Sequence, residues 1–358
     1  MTRTLHKKLA IIETGGSHDE VLKPQLLFLG DESVDVHLII RREHYNRTRP
    51  YEGISGLLLL GEDVKSSDRI RHLRAILKYL SGHGIKNVIV NTAQGAFIRD
   101  LTLFAPRRLR FTGIAHNPQK LGRSFTQKLI SRRIKKYFVL SDYILETVKE
   151  ENPDLQPGVF YPVFFPPHSP SGNHDTLDVC IPGAVDLNRR DYNSLLNEMA
   201  REAPDSNIRF IFLGRCMRDD ARAFRKNIEQ IVHSSQIVFY DSFIPEDEFI
   251  STVANADLIM PLLTPGVPLF ELYSKYKVTG AVNLAFGLRI PMLMHEALAH
   301  IEDFGKTAFF YQGNDLVENL NHLNRQRHTI VKKQKEMAKI QKFKFDFQKE
   351  RYLGFLNL

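Results

Sequence analysis

The sequence predicts an α/β protein made of two doubly wound, Rossmann-like domains. Short apolar runs alternate with amphipathic helical segments, a pattern typical of parallel sheets covered by helices. One proline-rich stretch, residues 161–175, interrupts this alternation near the middle of the 358 residues. We therefore expect one domain over 1–165, a second over 175–335, and a cleft between them. Open α/β sheets bind ligands outside the carboxyl ends of their strands, so both sheets are expected to face that cleft.

The predicted strands form two series, one in each half of the chain. Each is a short, β-rich apolar run of the kind that is buried on both faces of a parallel sheet. In the first half they cover residues 9–12, 36–40, 57–60, 88–90, 111–115 and 137–140, and in the second half residues 177–181, 208–213, 237–240, 258–260 and 290–294.

Amphipathic segments connect the strands, and the tail of the chain breaks this pattern. In residues 69–79 and just beyond, the apolar side chains recur at helical spacing and mark one buried face. In the tail, 336–358, Phe343, Phe345 and Phe347 alternate with charged residues, a period that favours a strand. The apolar positions of the helical segment are Ile70, Leu73, Ile76, Leu77 and Leu80.

Charge and composition restrict the class of protein and its partners. Lys and Arg number 49 against 41 Asp and Glu, and the excess is concentrated in 107–136, which has no acidic residue. Such a segment attracts anions, and residues 118–136 have the pattern of a basic amphipathic helix on an anionic membrane surface. No apolar stretch approaches about 20 residues and no secretory signal is recognisable, so we expect a cytoplasmic protein, peripheral at the inner face of the membrane. Two cysteines exclude a disulfide scaffold and a cysteine-based zinc site.

In the first half, two strand-to-helix loops carry candidate catalytic groups. Gly15 and Gly16 follow the first strand and allow close approach of a ligand to the backbone. His18 has the chemistry of a general base near neutral pH, and Asp19 is a second candidate base or a helix cap. His116 follows the strand at 111–115 and is expected at its carboxyl end. A tight turn with solvated or structural histidines remains the alternative interpretation.

In the second half, cations and a helix start predict a diphosphate site. Arg189 and Arg190 follow a strand and a glycine turn, and paired arginines there can hold a diphosphate. Arg215 repeats the arrangement of strand, glycine and arginine. Further along, two lysines and a hydroxyl precede a helix whose free N–H groups favour anions. Solvated arginines and an ordinary helix cap are the alternatives. The residues of this second cluster are Lys275, Lys277, Thr279 and Gly280.

Four segments of the second half resemble the nucleotide-sugar domain of GT-B-fold glycosyltransferases, in particular the group 1 (family four) enzymes. They are IPGAVDLNRRDYNSLL, IRFIFLGR, VFYDSFIPEDEFISTVANADLIMPLL and VNLAFGLRIPML, in the family's order. The first half is similar only in its glycine-rich first loop, in GIAHN and in FVLSDYILE. The resemblance also implies that the tail is a helix that packs on the N-terminal acceptor domain.

One departure from the family concerns the final donor helix. Members commonly carry two glutamates with seven residues between them, and here Tyr276 and Leu284 stand at those places. Glu271, from the preceding loop, could take over the ribose contact. The donor nucleotide and the stereochemical outcome therefore stay open.

The resemblance implies a hexosyltransferase that moves a sugar from a nucleoside-diphosphate sugar to a glycan or lipid-linked acceptor. Neither a metal nor another cofactor is expected, because no Asp-x-Asp pair is present and protein cations can stabilise the departing diphosphate. His18 or Asp19 would be the base toward the acceptor if the enzyme inverts, and His116 would contact the sugar or acceptor. The alternatives are a sugar-nucleotide epimerase or phosphorylase on the same fold, and a non-catalytic basic binding protein. Nucleic acid is not an expected partner, since the basic stretch has few aromatics and no known binding module.

Overall fold

The computed structural model describes residues 7–15, 18–30, 34–48, 51–61, 66–163 and 175–358. Contacts within the chain divide it into two compact units. Unit 1 combines Met1–Phe164 with Phe345–Leu358, and unit 2 is Phe165–Lys344. Most of the proline-rich stretch at 161–175 lies outside the described residues.

Unit 1 is built on a parallel sheet of seven strands in the order β3-β2-β1-β4-β5-β6-β7. The order reverses between β1 and β4, and such a switch point opens a crevice at the carboxyl ends of these strands. The strands are β1 Lys7–Glu13, β2 Val34–Arg41, β3 Gly56–Leu60, β4 Asn87–Val90, β5 Arg110–Ile114, β6 Lys136–Val139 and β7 Gln156–Val159. The helices between them are α1 Leu22–Gly30, α2 Arg42–Thr48, α3 Ser66–Gly82, α4 Ala96–Phe104, α5 Phe125–Arg133 and α6 Asp142–Glu151.

Unit 2 repeats this architecture with a parallel sheet of six strands in the order β10-β9-β8-β11-β12-β13. Its strands are β8 Leu177–Pro182, β9 Ile208–Leu213, β10 Ile237–Phe239, β11 Leu258–Ile259, β12 Met292–His295 and β13 Ala308–Tyr311. Its helices are α7 Tyr192–Arg201, α8 Asp219–Ile231, α9 Glu246–Ala254, α10 Phe270–Lys275, α11 Gly280–Leu288, α12 Glu302–Thr307, α13 Leu316–Arg325 and α14 Arg327–Met337.

The predicted fold class is confirmed, because both sheets are parallel and each consists of strands joined by helices. Central strands are the apolar runs seen in the sequence: in β1, Leu9 to Ile12 are all buried, as are all six residues of β8. Burial on both faces explains why these strands read as continuous rather than alternating apolar runs. Two strands, β7 and β13, were not among the predicted ones.

The end of the chain returns to unit 1 as helix α15, Phe345–Leu356. The strand interpretation of this tail is therefore wrong, and the helix implied by the resemblance is present. Tyr352 is fully buried, stacked on Phe138 with ring centroids 4.9 Å apart. The backbone N–H of Tyr161 donates to the buried side chain of Gln348 at 2.8 Å. Residues 336–344, which the sequence assigned to the tail, keep their contacts in unit 2.

Residues 118–136 do not form the single amphipathic helix that the sequence predicted. A 3-10 turn at Pro118–Lys120 comes first, and α5 begins only at Phe125, after the N-cap Ser124. The segment ends in strand β6, which already includes Lys136. Most of its apolar residues are core rather than membrane-facing, since Leu121, Ile130 and Ile134 are buried in unit 1. None of the helices in the described ranges is long and apolar enough to cross a membrane.

Candidate functional site

In unit 1, polar groups gather at the carboxyl edge of the three central strands. Glu13 is the last residue of β1, Asn91 and Thr92 follow β4, and His116 follows β5. His18 lies in the loop after β1. Because β1, β4 and β5 are neighbours in a parallel sheet, their carboxyl ends meet at one edge and bring these five residues together.

Glu13 is the buried anchor of this group. Its side chain accepts hydrogen bonds from the Asn91 amide at 2.5 Å and from the Thr92 hydroxyl at 2.7 Å, and also from the backbone N–H of Gly15. Burial raises the pKa of the Glu13 carboxyl above its ordinary value, and these hydrogen bonds oppose the rise by stabilising the carboxylate. The carboxylate thus fixes the loops that follow β1 and β4.

His18 and His116 stack on each other with ring centroids 3.6 Å apart and planes 4° from parallel. His116 is buried, and its Nε2 lies 2.7 Å from the carbonyl oxygen of Asn91. Since a carbonyl only accepts, Nε2 of His116 is the donor in this contact. His18 is more accessible, with 27% of its side chain exposed and Nδ1 3.5 Å from the Glu20 carboxylate. An accessible imidazole backed by an ordered one can accept a proton from a bound hydroxyl.

A buried hydrogen-bond chain supports the histidines from behind. Tyr352 of α15 donates to Gln25 of α1 at 3.0 Å, and Gln25 donates to the Asn91 side-chain oxygen at 2.6 Å. Asn91 in turn donates to the backbone carbonyl of His18 at 2.7 Å. This series of hydrogen bonds connects helix α15 to the loop that carries His18.

The other residues predicted in this loop have different surroundings. A Cβ at Gly15 would come within 2.9 Å of Thr92, so the close backbone approach there requires glycine. Gly16 lies outside the described residues. Asp19 begins a short 3-10 turn that leads into α1. Four residues of this arrangement were not predicted from the sequence: Glu13, Asn91, Thr92 and Gln25. A carboxylate that ends an apolar strand is the signal that could have indicated Glu13.

In unit 2, two glycines bring the loops after β8 and β9 into backbone contact. Gly183 has φ +103°, a conformation that favours glycine. A Cβ at Gly214 would overlap the carbonyl group of Gly183, so the second position also requires glycine. The Gly183 N–H donates to the Leu213 carbonyl at 2.9 Å. The pair makes a compact turn at the carboxyl edge.

Arg190 folds back over this turn. A Cβ at Gly183 would lie 2.9 Å from Arg190 Nη2, and the guanidinium also lies beside the buried Tyr192 hydroxyl. Burial raises the pKa of the Cys180 thiol below it to about 12, which the charge of Arg190 partly opposes. Arg190 Nη1 is buried and has no hydrogen-bond acceptor among the residues that the structure describes. A half-buried cation with an unsatisfied donor is suited to an anionic ligand.

Asp191 ties this loop to the one that follows β11. Its side chain caps α7 by accepting the Ser194 N–H at 3.0 Å, and it also accepts the Thr264 hydroxyl. Its own N–H donates to the carbonyl of Leu262, which adopts a left-handed conformation at φ +54°. The loop that carries Arg190 is therefore fixed by hydrogen bonds both to the start of α7 and to the loop after β11.

The structure separates the residues of the second predicted cluster. Lys275 pairs with Glu271 at 2.9 Å on an exposed face of α10. Thr279 caps α11, where its hydroxyl accepts the Val282 N–H at 3.3 Å, and Gly280 is the first residue of that helix. Since α11 leads into the parallel strand β12, its N-terminus lies at the carboxyl edge of the sheet. Lys277 is half-buried and lies two residues before the N-cap Thr279.

The remaining positions singled out in the sequence are either exposed or buried in the core. Arg215 is exposed and lines a cavity of about 300 Å³ with Cys216, Arg225 and Tyr240. Tyr276 and Leu284, at the places where group 1 glycosyltransferases commonly carry two glutamates, are buried in unit 2. No carboxylate occupies either place.

Comparison with solved structures identifies proteins of the same architecture. Anabaena HepE in complex with UDP-glucose has a TM-score of 0.71 at 12% identity. The match covers 98% of this chain and 100% of the HepE chain. A Rickettsia africae glycosyltransferase has a TM-score of 0.63 at 10% identity, with 98% and 99% coverage. A Listeria monocytogenes protein assigned as a UDP-N-acetylglucosamine 2-epimerase has a TM-score of 0.60 at 13% identity, with 98% and 95% coverage.

No protein-family model and no curated protein sequence gives a significant match to this chain. At 10–13% identity, the solved structures show the fold alone. The resemblance to GT-B enzymes is thus confirmed at the level of the fold, whereas membership of family four stays a prediction.

Proposed function

We propose that this protein is a hexosyltransferase that moves a sugar from a nucleoside-diphosphate sugar to a glycan or lipid-linked acceptor. The GT-B fold supports a nucleotide sugar as substrate, because HepE, which shares it, is described in complex with UDP-glucose. The fold is also that of an epimerase-type neighbour, so the choice between the two reactions rests on the residues of this chain.

The observation that carries the proposal is the half-buried guanidinium of Arg190 over the Gly183–Gly214 turn. In sugar transfer, negative charge develops on the departing nucleoside diphosphate, and fixed cations stabilise it there. Arg190 has a donor that no described residue satisfies, and its loop is held in place through Asp191. Lys277, Thr279 and the N-terminus of α11 would complete the site, without a metal ion or another cofactor.

In unit 1, we assign His18 as the base toward the acceptor hydroxyl, if the reaction inverts. His116 would contact the sugar or acceptor while its ring supports that of His18. The 3.6 Å stack and the hydrogen bond from His116 to Asn91 favour this division, because the buried ring is fixed and the accessible one faces solvent.

The test of the donor site compares two neighbouring arginines. Arg190→Ala should weaken binding of UDP and UDP-glucose about 10- to 150-fold, since a charge-assisted hydrogen bond contributes about 1.5–3 kcal/mol. Arg189→Ala is the matched control, because Arg189 is exposed and pairs only weakly with Asp186 at 3.4 Å. Calorimetric titration of both variants, with Lys277→Ala as a third, gives the answer. Equal affinity in Arg190→Ala and wild type would place the diphosphate elsewhere.

The test of the base uses turnover. His18→Ala should lower the rate of sugar transfer by about 10²- to 10⁴-fold while donor affinity stays close to that of the wild type. Nucleoside-diphosphate release and the identity of the sugar product are measured together. Conversion of the sugar nucleotide to its epimer without acceptor would favour the epimerase instead.

A peripheral position at the inner face of a membrane belongs to the same proposal. It is supported by the exposed cations of the segment after β5, which would lie close to anionic headgroups and to a lipid-linked acceptor. They are Lys120, Arg123, Lys128, Arg132 and Lys135.

A further inference from the structure

The helices α3, α4 and α5 of unit 1 carry an unusual share of exposed apolar surface. Of the ten large apolar side chains that stand exposed in the described part of the chain, four belong to these helices. Phe125 is 74% and Phe104 71% exposed, which are the two highest values. The other two are Ile70, 52% exposed, and Leu103, 54% exposed. Sequence periodicity predicted that Ile70 packs inward, so its exposure calls for a different explanation.

A groove between α3 and α4 connects part of this surface. It has a volume of about 570 Å³, and Leu73 and Leu77 form its apolar floor between Ile70 and Phe104. Arg69 crosses it near the start of α4, where it pairs with Asp100 and donates to the Ala96 carbonyl at 2.6 Å. Exposed apolar surface of this kind usually marks an interaction site.

Helix α3, together with α4 and α5 and the segments on either side of α5 and after α4, is strongly basic. Residues 66–82, 96–110 and 118–136 contain fifteen Lys and Arg but only two acidic residues. Both acids are already paired, Asp68 with Arg71 at 3.1 Å and Asp100 with Arg69 and Arg99. Arg74 lines the groove and is exposed, as is Lys78 further along α3.

We propose that this α3–α4 face docks on an anionic lipid surface, with Phe104 and Ile70 inserted at the headgroup boundary. Aromatic and aliphatic side chains ringed by Lys and Arg fit such an interface, because lipid accepts the apolar groups while lipid phosphates meet the cations. A second copy of the chain fits poorly, since two faces of the same strong charge would repel each other. The proposal rests on the peripheral membrane position proposed above and names the face that docks; its test requires neither donor nor acceptor.

The docking element differs from the one expected from the sequence. The apolar residues of 118–136 are largely buried in the core, and only Phe125 offers substantial apolar surface there. Insertion is therefore assigned to the α3–α4 groove, while the segment after β5 contributes charge.

The experiment is vesicle co-sedimentation of the full chain without sugar nucleotide. Phosphatidylcholine vesicles with phosphatidylglycerol should bind the protein, and pure phosphatidylcholine vesicles should not. Raised salt should weaken the binding, because screening reduces the attraction between the cations and lipid phosphates. The double variant Ile70→Ser, Phe104→Ser should lower the partition coefficient by about tenfold or more, given the apolar area withdrawn from the lipid.

The matched control is Phe243→Ser, because Phe243 is 68% exposed but belongs to unit 2. It should bind vesicles like the wild type, and circular dichroism should show that all variants are folded. Equal binding to both vesicle types, no binding to either, or full binding by the double variant would overturn the proposal. Stronger binding to a single-stranded oligonucleotide that is lost in the same double variant would assign the face to nucleic acid. None of these outcomes depends on Arg190 or His18, so the proposed transfer reaction is tested separately.

Discussion

At the scale of single residues, Glu13 connects the packing of unit 1 to its candidate chemistry. A buried carboxylate is costly unless hydrogen bonds compensate for lost water, and Glu13 accepts three. Two of the donors, Gly15 and Asn91, belong to the loops that position His18. Glu13 thus supports the histidine pair structurally. The free energy of unfolding should therefore depend on its ionisation.

The first prediction at this scale is a pH dependence. Burial raises the pKa of Glu13 above 4.5 in the folded state, so the native protein holds this proton at pH values where the unfolded chain has lost it. The free energy of unfolding should therefore fall as pH rises from 4.5 through the higher folded pKa, and this contribution should level off above it. Urea unfolding at a series of pH values measures the slope.

Two variants isolate the pH dependence that Glu13 contributes. Glu13→Gln should abolish the contribution of Glu13 to the slope of unfolding free energy against pH. Glu20→Gln should leave that slope unchanged, because Glu20 lies close by in sequence but is exposed. Identical slopes in Glu13→Gln and wild type would show that another group titrates.

Sequence alone could predict many residues of the candidate sites but not their arrangement. His18, His116 and Arg190 were found because each follows an apolar strand, and carboxyl ends of parallel strands carry function. The stack of His18 on His116 was not predictable, because it depends on the sheet order that places β4 between β1 and β5. Asn91 and Thr92 were not predicted, because residues of these types after a strand are also ordinary turn formers.

At the scale of elements, the errors have local causes. The alternation of Phe343, Phe345 and Phe347 arises from two separate elements rather than one strand. Phe343 stacks on Phe286 in unit 2 at 4.2 Å, whereas Phe345 packs against Phe28 in unit 1 at 5.3 Å. A period of two over so few residues could not distinguish these cases.

Strand β7 was missed because it contains Pro157 and Gly158, both poor strand formers. It lies at the edge of the sheet and pairs only with β6, where a missing N–H is tolerated. A Cβ at Gly158 would come within 2.5 Å of the Phe355 ring, so the glycine makes room for α15. A residue that weakens the strand therefore allows the helix to pack.

The prediction at this scale concerns α15. Tyr352→Phe should lower the free energy of unfolding by about 0.5–1.5 kcal/mol, since it removes the hydrogen bond to Gln25. Tyr352→Ala should lower it by about 3–5 kcal/mol, because it also leaves a cavity among Phe28, Phe138 and Phe160. Phe347→Ala, on the same helix but 39% exposed, should stay within about 0.5 kcal/mol of the wild type.

Denaturant unfolding of the full chain measures all three variants. Equal losses in Phe347→Ala and Tyr352→Ala would contradict the view that α15 is anchored through its buried tyrosine.

At the scale of the whole molecule, the α/β class was predictable because parallel strands buried on both faces keep their apolar runs intact. The two-part organisation followed from the prolines near the middle of the chain. Neither periodicity nor charge predicts that the end of the chain returns to unit 1, because this return depends on long-range tertiary contacts. Tyr352, Gln348 and Phe355 contact residues about 190 or more positions earlier. Only the family resemblance suggested this return.

The return of α15 to unit 1 also sets an order of events on the ribosome. The 180 residues from Phe165 to Lys344 are translated between the two parts of unit 1, which takes on the order of ten seconds or longer at about 5–20 residues per second. During that interval the nascent chain exposes the aromatic surface of Phe28, Phe138 and Phe160 that Tyr352 later covers. The part of the protein synthesised first is therefore completed last, and its unfinished core is a site for chaperones to protect.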